Sequence, residues 1–362
     1  MASSTAVRAG GRVLGLRPAE SFEALREPWL TLGERSENVF STWEWATTWW
    51  RHYGDGRQLT LAACHDEADQ PVAILPLYLA FERPIRVARF VGHGAADQLG
   101  PVCAPDEPGA IEALAASGRE LGWQVLLADR LPGDGRWPRA VGGRTLTHES
   151  SPVIDVAGLT WDDYLAARSS NFRSQVRRKE RKLERDHGMT YRLSEGGPEQ
   201  LSRDLDSLFE LHRARWREEG SGAFDDTREA FHRDFASVAA ERGWLRLWLA
   251  EVEGQPIAAW YGFRFAGADW YYQFGRDPQW DRSSVGLVLL AHTVRDAIES
   301  GQREYKLLRG GEGYKDRFAT GDAGLDTVAA GRGFVGKAAV GAAATGLSLP
   351  EPLRGRFVRA VG

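Results

Sequence analysis

The chain has 362 residues, more than one hydrophobic core normally supports, and its length therefore predicts two domains. Lys and Arg number 46 against 50 Asp and Glu, and the net charge of −4 argues against a protein that coats nucleic acid. Two cysteines, Cys64 and Cys103, are too few for a disulfide framework or a cysteine zinc site. The sequence shows no signal peptide and no stretch near the roughly 18 apolar residues of a membrane span, so we predict a cytoplasmic globular protein.

The C-terminal half alternates helices and strands in an order that predicts a mixed sheet. Three strands joined by short turns form an antiparallel meander, and a crossover helix then leads to a strand beside the third. Neighbouring strands diverge where such a helix begins, which is a common position for a ligand. The predicted elements are a basic helix from 173 that Gly188 ends, a strand over 189–193, helices from 198 to about 219 and from 226, strands over 244–252, 256–265 and 269–275, the crossover helix over 285–300, and strands over 303–308 and 325–329.

The N-terminal half repeats this order more faintly, without detectable sequence identity between the halves. Its predicted elements are a strand over 12–16, helices over 21–32 and 42–53, strands over 59–65, 72–79 and 85–91, a helix over 107–121, and a strand over 123–128. Aromatic residues nearly surround the helix over 42–53, which favours a buried helix. The sequence thus predicts an α/β fold of two similar lobes, each a mixed, mostly antiparallel sheet flanked by helices.

The predicted domain boundaries follow from this order of elements. We expect a flexible N-terminus over 1–19, an N-terminal lobe over 20–150 and a connecting segment with the basic helix over 151–188. A C-terminal lobe over 189–333 and an Ala/Gly-rich tail over 334–362 complete the predicted organisation.

Several short motifs occur in a fixed order along the chain. They are Leu211-His212 with Arg215-Trp216, Gly243-Trp244-Leu245, Tyr271-Tyr272-Gln273, Gly286 with Leu289-Leu290-Ala291-His292, Tyr314-Lys315 with Arg317-Phe318, and, in the first half, Pro76-Leu77-Tyr78 and Gly92-His93-Gly94 with Asp97. Over about residues 20–330 the sequence resembles tandem GNAT acyltransferases, and especially the CelD-like (cellulose-biosynthesis) acetyltransferases, distant relatives of the Fem aminoacyl transferases. The resemblance implies acyl transfer from a thioester or ester to an amine. Its donor would be acyl-CoA, such as acetyl-CoA, or, as in the Fem relatives, aminoacyl-tRNA.

The donor site is predicted at the start of the crossover helix, at Arg282, Ser283, Ser284 and Gly286. Free backbone N–H groups and the helix dipole favour a pyrophosphate there, Gly286 would let it approach closely, and Arg282 adds charge. The alternative is ordinary helix capping by Ser283 or Ser284. The GNAT pyrophosphate loop usually reads Gln/Arg-x-x-Gly-x-Gly/Ala, whereas residues 282–287 contain one glycine.

Three residues are predicted to carry the chemistry. Tyr272 could protonate the departing thiolate, although the face that it shares with Trp270 and Phe274 favours a core position. Glu312 could accept the proton of the attacking amine, directly or through water, and Lys315 could stabilise a phosphate or the oxyanion. The alternative for both is a solvated loop, and the resemblance favours Lys315 because the Fem-like group tends to carry a basic residue there. Neither a nucleophile elbow nor a metal-ligand spacing is present, so direct attack by the amine is the simpler mechanism.

The acceptor, an amine of a small molecule, sugar or peptide, is predicted to bind in the cleft between the lobes. Arg215 on its helix, Gln273 on the third strand and Arg309 before the Gly-rich loop are the candidates in the C-terminal half. In the first half, His93 and Asp97 could form a pair that deprotonates the amine, or belong to an ordinary Gly-rich turn.

Two other functions compete with an acyl-CoA-dependent enzyme. The basic helix could bind RNA phosphates in a Fem-like aminoacyl-tRNA transferase, or it could be a solvated connecting helix. The incomplete pyrophosphate loop would also fit a non-catalytic GNAT-like binding protein in surface-polysaccharide assembly.

Overall fold

The computed structural model describes residues 5–9, 12–82, 85–134, 136–219 and 224–347. The chain divides into two compact units. Unit 1 comprises Met1–Ser150 and Ala323–Gly362, and unit 2 comprises Ser151–Asp322.

The first 150 residues contain β1 (Thr5–Ala9), β2 (Arg12–Ala19), α1 (Arg26–Arg35), α2 (Trp43–Tyr53), β3 (Gln58–His65), β4 (Pro71–Glu82), β5 (Ile85–Phe90), α3 (Pro108–Glu120), β6 (Val125–Pro132), α4 (Arg136–Ala140) and β7 (Arg144–Glu149). Unit 2 contains β8 (Pro152–Asp155), α5 (Trp161–Ala166), α6 (Ser170–His187), β9 (Thr190–Leu193), α7 (Pro198–Glu219), α8 (Asp226–Glu241), β10 (Leu245–Val252), β11 (Gln255–Phe265), β12 (Ala268–Arg276), α9 (Val285–Glu299), β13 (Glu304–Lys306), α10 (Gly313–Asp316) and β14 (Gly321–Asp322). The chain then returns to unit 1 with β15 (Leu325–Gly331) and α11 (Gly333–Leu347).

Unit 1 is built on one sheet with the strand order β1-β2-β3-β4-β5-β6-β15-β7. Strands β5 and β6 are parallel, with α3 as the crossover between them, and the other neighbours are antiparallel. Helix α2 packs with Trp45 and Trp49 almost completely buried. The prediction of a buried aromatic helix is therefore confirmed.

Unit 2 is built on a second sheet with the order β14-β8-β13-β12-β11-β10-β9. Its meander β10–β11–β12 is antiparallel, while β12 and β13 are parallel and α9 connects them. The predicted fold class, two lobes with mixed and mostly antiparallel sheets, is confirmed.

Two segments lie in a different unit from the one that their position in the sequence predicted. Strand β15, predicted in the C-terminal lobe, lies between β6 and β7 in the sheet of unit 1. The segment 151–188, predicted as a connector, belongs to unit 2, because β8 pairs with β13 and α6 buries its apolar seam in the core. The seam consists of Phe172, Val176 and Leu183. A strand pattern indicates an extended chain, but it does not identify the strand that will pair with it.

The segments 1–19 and 334–362 both contain elements of unit 1. Residues 1–19, expected to be flexible, include β2, which pairs with β3 and buries Leu14 and Leu16. The predicted tail over 334–362 begins with α11, and its Val340 packs against β5, β6 and β15. Residues 348–362 lie outside the described part of the chain. No helix among the described residues has the length and apolar character needed to cross a membrane.

Candidate active site

Strand β12 contains a β-bulge at Tyr272. Tyr261 of β11 is opposite Gln273, and its neighbour Gly262 is opposite Tyr271, which leaves Tyr272 as the extra residue. Such an insertion changes which side chains face each side of the sheet. Tyr271 and Phe274 therefore share the face that packs beneath α6 and α9. Gly262 permits this close pairing, since a Cβ atom there would overlap the carbonyl oxygen of Trp270 and the ring of Trp260.

A cavity of about 280 Å³ opens in unit 2 where β12 and β13 separate. The parallel pairing of these strands ends at Trp270 and Lys306, immediately before Tyr271. The described lining residues are Arg215, Tyr271, Phe274, Arg276, Gly286, Leu287, Leu290, Tyr314 and Arg317. The cavity thus combines apolar walls with several cationic and hydroxyl groups.

One end of the cavity is the N-terminus of α9. Its N-cap residue, Ser284, has a left-handed backbone (φ 60°, ψ 42°) and makes no capping hydrogen bond with its side chain. Ser284 is therefore the N-cap residue that the capping alternative named, but its side chain does not cap α9. Gly286 lines the cavity here, and a Cβ atom at this position would lie 3.3 Å from the ring of Phe274. Arg282 is exposed, and its carbonyl oxygen accepts a 2.7 Å hydrogen bond from Lys179.

The other notable feature is a pair of phenols. The hydroxyl oxygens of Tyr271 and Tyr314 lie 3.3 Å apart. Burial, reinforced by the neighbouring Tyr314, raises the pKa of Tyr271 well above 10, so this phenol keeps its proton at neutral pH. Both side chains line the cavity and can donate a hydrogen bond to a group bound there.

Tyr272, the predicted proton donor, is not among the described residues that line the cavity. Its ring packs on the opposite face of the sheet, with centroids 5.0 Å from His232 and 5.9 Å from Tyr261. The bulge is the reason, because simple alternation along the strand would have grouped Tyr272 with Phe274. Gln273 hydrogen-bonds His212, which is buried.

Glu312 and Lys315 pair with each other and are also absent from the described lining. The Lys315 ammonium lies 3.0 Å from the Glu312 carboxylate and donates a 2.6 Å hydrogen bond to the carbonyl oxygen of Arg309. It also lies 5.9 Å from the centroid of the Tyr271 ring. The short helix α10 exposes Tyr314 to the cavity and buries Lys315 behind Tyr271.

His93 and Asp97 lie in unit 1, and the predicted pair between them is wrong. Nδ1 of His93 lies 2.9 Å from the carboxylate of Asp129, whereas Asp97 pairs with Arg130 at 3.7 Å. Arg89 contacts the same Asp129 carboxylate at 3.4 Å. Burial raises the pKa of Asp129, but the hydrogen bond from His93 and the neighbouring positive charges outweigh it and lower this pKa.

Sequence reasoning overlooked Tyr271, Tyr314, Arg276 and Arg317 as residues of the cavity. The available signal was Gly262, because a glycine inside an apolar strand often marks a bulge or a close backbone approach. A bulge opposite this glycine would have shifted the side-chain alternation and favoured Tyr271 over Tyr272.

A known protein family matches the part of unit 2 that contains the cavity. Residues 170–316 match the family model described as an acetyltransferase (GNAT) domain. The matched segment extends from α6 to α10 and includes the start of α9 and both phenols. The predicted enzyme class, an acyltransferase, is confirmed, while the donor and the acceptor are not identified by the match.

Solved structures with the same fold span both units of this chain. The crystal structure of FemX superposes with a TM-score of 0.63 at 11% identity, covering 86% of this chain and 96% of that one. The C-terminal domain of a putative lysylphosphatidylglycerol synthetase from Agrobacterium fabrum gives 0.56 at 13% identity, covering 88% and 96%. A conserved protein of unknown function from Bacteroides thetaiotaomicron VPI-5482 gives 0.56 at 11%, covering 87% and 98%.

At these identities the structural similarity establishes the fold alone. No curated protein sequence matches the chain. Membership of the CelD-like group stays a prediction.

Proposed function

We propose that this protein is an N-acyltransferase that moves an acyl group, acetyl in the simplest case, from acyl-CoA to an amine. One observation carries the proposal: the uncapped start of α9 opens onto the same cavity as the hydroxyl groups of Tyr271 and Tyr314. An acyl-CoA molecule needs an anion site for its pyrophosphate and a proton donor for its sulfur. The cavity offers both within the GNAT domain.

The donor would bind with its pyrophosphate at the N-terminus of α9. Backbone N–H groups after Ser284 would donate hydrogen bonds to it, and the helix dipole would add electrostatic attraction. Arg276 lines this part of the cavity and is held in place by two hydrogen bonds to Asp281, 2.5 and 3.0 Å long. Exposed Arg282 would supply further positive charge.

The proposed reaction is direct attack by the acceptor nitrogen on the thioester carbon. The new C–N bond forms as the C–S bond breaks, and the sulfur takes a proton from Tyr271 or, through the phenol pair, from Tyr314. This assignment replaces Tyr272. The nitrogen releases its proton to water, and Glu312, which is half exposed, could receive it through that water. The backbone of β12 beyond Trp270, where the parallel pairing has ended, would hold the carbonyl oxygen.

Isothermal titration with CoA and acetyl-CoA tests the donor. We expect micromolar binding that is lost in the Arg282→Ala, Gly286→Glu double variant, which places a carboxylate where the pyrophosphate would bind. Gly341→Glu is the matched control, since Gly341 also lies in a helix and a Cβ atom there has no neighbour within 4 Å. Absence of binding by the unmodified protein would contradict the acyl-CoA donor.

The exposed basic surface of α6 supports a second candidate, an aminoacyl-tRNA donor. Arg177, Arg178, Arg181 and Arg185 are exposed along this helix. The hydrogen bond from Lys179 to the carbonyl of Arg282 brings the helix against the donor loop. An RNA that follows this surface could therefore present its 3′ end to the cavity.

Titration with aminoacyl-tRNA over a series of salt concentrations tests this candidate. Binding that weakens steeply with salt, and that an Arg178→Glu, Arg181→Glu variant lacks, would favour tRNA. Absence of binding at low salt would dispose of it. If neither donor bound, the non-catalytic role in polysaccharide assembly would become the better explanation.

A further inference from the structure

The cavity of unit 2 carries an excess of positive charge. Its three arginines come from three elements: Arg215 from α7, Arg276 from the end of β12, and Arg317 from the turn after α10. The other described lining residues are apolar side chains, a glycine and two phenols, so none of them is acidic. A ligand that fills the cavity therefore meets several guanidinium groups and no carboxylate in the described wall.

The charge of Arg276 is balanced by a neighbouring acid. Asp281 accepts two hydrogen bonds from Arg276 and lies in the loop that leads to α9. This ion pair therefore belongs to the donor end of the cavity. The donor phosphates would add negative charge at the same end, so Arg276 gives no information about the acceptor.

Arg317 is held by neutral partners. Its guanidinium donates a 2.7 Å hydrogen bond to the side-chain oxygen of Gln175 and lies 5.3 Å from the centroid of the Phe172 ring. An amide and a phenyl ring orient the guanidinium without cancelling its charge. The group is thereby positioned to bind an anion within the cavity.

Arg215 is the third arginine of the cavity, which also contains the proposed proton donor Tyr271. Burial raises the pKa of Tyr271, and the positive charge of Arg215 opposes that rise. If Tyr271 protonates the leaving sulfur, the acceptor amine must also come close to Arg215. An acceptor whose only charge is an ammonium group would be repelled there.

We propose that Arg215 and Arg317 bind a negatively charged group of the acceptor, so that the substrate class is an amine that also carries an anion. A carboxylate is the smallest such group, and guanidinium groups bind it through paired, charge-assisted hydrogen bonds. The inference rests on the proposed function, because the arginines are assigned to the acceptor only if the donor occupies the start of α9.

The test compares two product analogues that differ in this charge, N-acetylglycine and N-acetylglycinamide. Thermal unfolding of the CoA-saturated protein is measured with each compound at matched ionic strength, since a ligand that binds the folded state raises Tm. We expect N-acetylglycine to raise Tm and the amide to do so much less. Arg317→Gln and Arg215→Gln should each weaken the apparent affinity for N-acetylglycine roughly tenfold, the loss expected for a charge-assisted hydrogen bond.

Arg203→Gln is the matched control, because Arg203 is an exposed arginine on the same helix as Arg215 and should keep the full response. Arg317→Lys retains the charge and should retain more of the response than Arg317→Gln. Equal shifts from the two compounds, or a selective shift that survives both glutamine variants, would overturn the inference.

The donor is tested separately by the Tm rise that CoA alone produces. A protein that responds to N-acetylglycine but not to CoA would contradict the proposed donor and retain the anion site. A protein that responds to CoA and treats both analogues alike would contradict the anion site and retain the donor.

Discussion

Helices α3 and α9 occupy equivalent places in the two units, yet their N-termini are built differently. Each helix connects a pair of parallel strands, β5 with β6 and β12 with β13. In α3 the carboxylate of Glu107 accepts a 3.0 Å hydrogen bond from the backbone N–H of Gly109, and Pro108 has no N–H to offer. In α9 the residue at the same position, Ser284, provides no side-chain cap.

The strands beside these helices show the same contrast. In unit 1 the pairing of β5 with β6 ends at Ala88, and a salt bridge from Arg89 to Asp129 then ties the two strands together. In unit 2 the pairing of β12 with β13 ends at Trp270, and the cavity follows. The two units therefore share a fold but differ at this helix start: the carboxylate of Glu107 caps α3 in unit 1, whereas the Ser284 side chain does not cap α9 in unit 2.

The largest effect that we expect concerns the number of donor molecules bound. Titration of acetyl-CoA should give one site per chain, because a phosphate at α3 would be repelled by Glu107. Gly286→Glu alone should reduce the affinity by roughly a hundredfold or more, since it adds a negative charge at the proposed pyrophosphate position. Two sites per chain would show that the contrast between the helices has no functional meaning.

The two neighbouring tyrosines should differ sharply in their contribution to catalysis. Once an acceptor is identified, Tyr271→Phe should lower kcat by about a hundredfold or more, the usual contribution of a general acid, with little change in CoA affinity. Tyr272→Phe is the matched control and should retain kcat close to the original, because this ring packs on the other face. The reverse order of effects in steady-state kinetics would restore Tyr272 as the proton donor.

Acidification should destabilise unit 2 through two histidines. Burial lowers the pKa of His212 and of His292 to about 4, while an unfolded histidine titrates near pH 6.5. The unfolded chain therefore binds more protons between these values, and stability falls as pH falls from about 6.5 towards 4. Between pH 7 and pH 5.5, each histidine should lower the free energy of unfolding by about 1 kcal/mol.

Urea unfolding at pH 7 and 5.5 measures this loss, and a His292→Gln variant should show a smaller difference between the two pH values. A pH-independent free energy of unfolding would contradict the buried, neutral state of both rings.

The smallest expected effect is that of Glu107→Gln. The variant removes a negative charge from the start of α3 and should lower the free energy of unfolding by less than about 1 kcal/mol. It should not create a second CoA site, for two reasons. Pro108 still lacks an N–H group, and the Leu14 side chain lies so close to Gly109 that even a Cβ atom at this glycine would overlap it. A second site in calorimetry would show that the carboxylate alone keeps the anion position of unit 1 closed.

Elements whose signals are local could be predicted well. The bounds predicted for the second helix of the C-terminal half agree with those of α7, and α9 begins at the predicted residue, Val285. Helical periodicity, prolines at helix starts and glycines at helix ends act within a few residues and can be read along one chain. The resemblance to GNAT proteins rested on motifs of the same local kind.

Features that depend on distant partners could not be predicted in this way. Whether Tyr271 or Tyr272 faces the cavity depends on a bulge opposite Gly262, and the partner of His93 is Asp129 rather than the nearby Asp97. Lys315 and Glu312 were each expected to act on a ligand, but the short turn of α10 brings them to each other.

The sequence by itself determined the two-lobed α/β organisation, the crossover helix α9 with its glycine, and the acyltransferase character of the C-terminal half. Only the tertiary structure decided that β15 joins unit 1, that α6 belongs to the core of unit 2, and that Tyr271, Tyr314 and Arg317 meet in one cavity. The physical reason is that helix and strand formation follow the local order of apolar and polar residues, whereas strand partners and cavity walls come from segments far apart in the chain. Their choice depends on which surfaces bury best against each other.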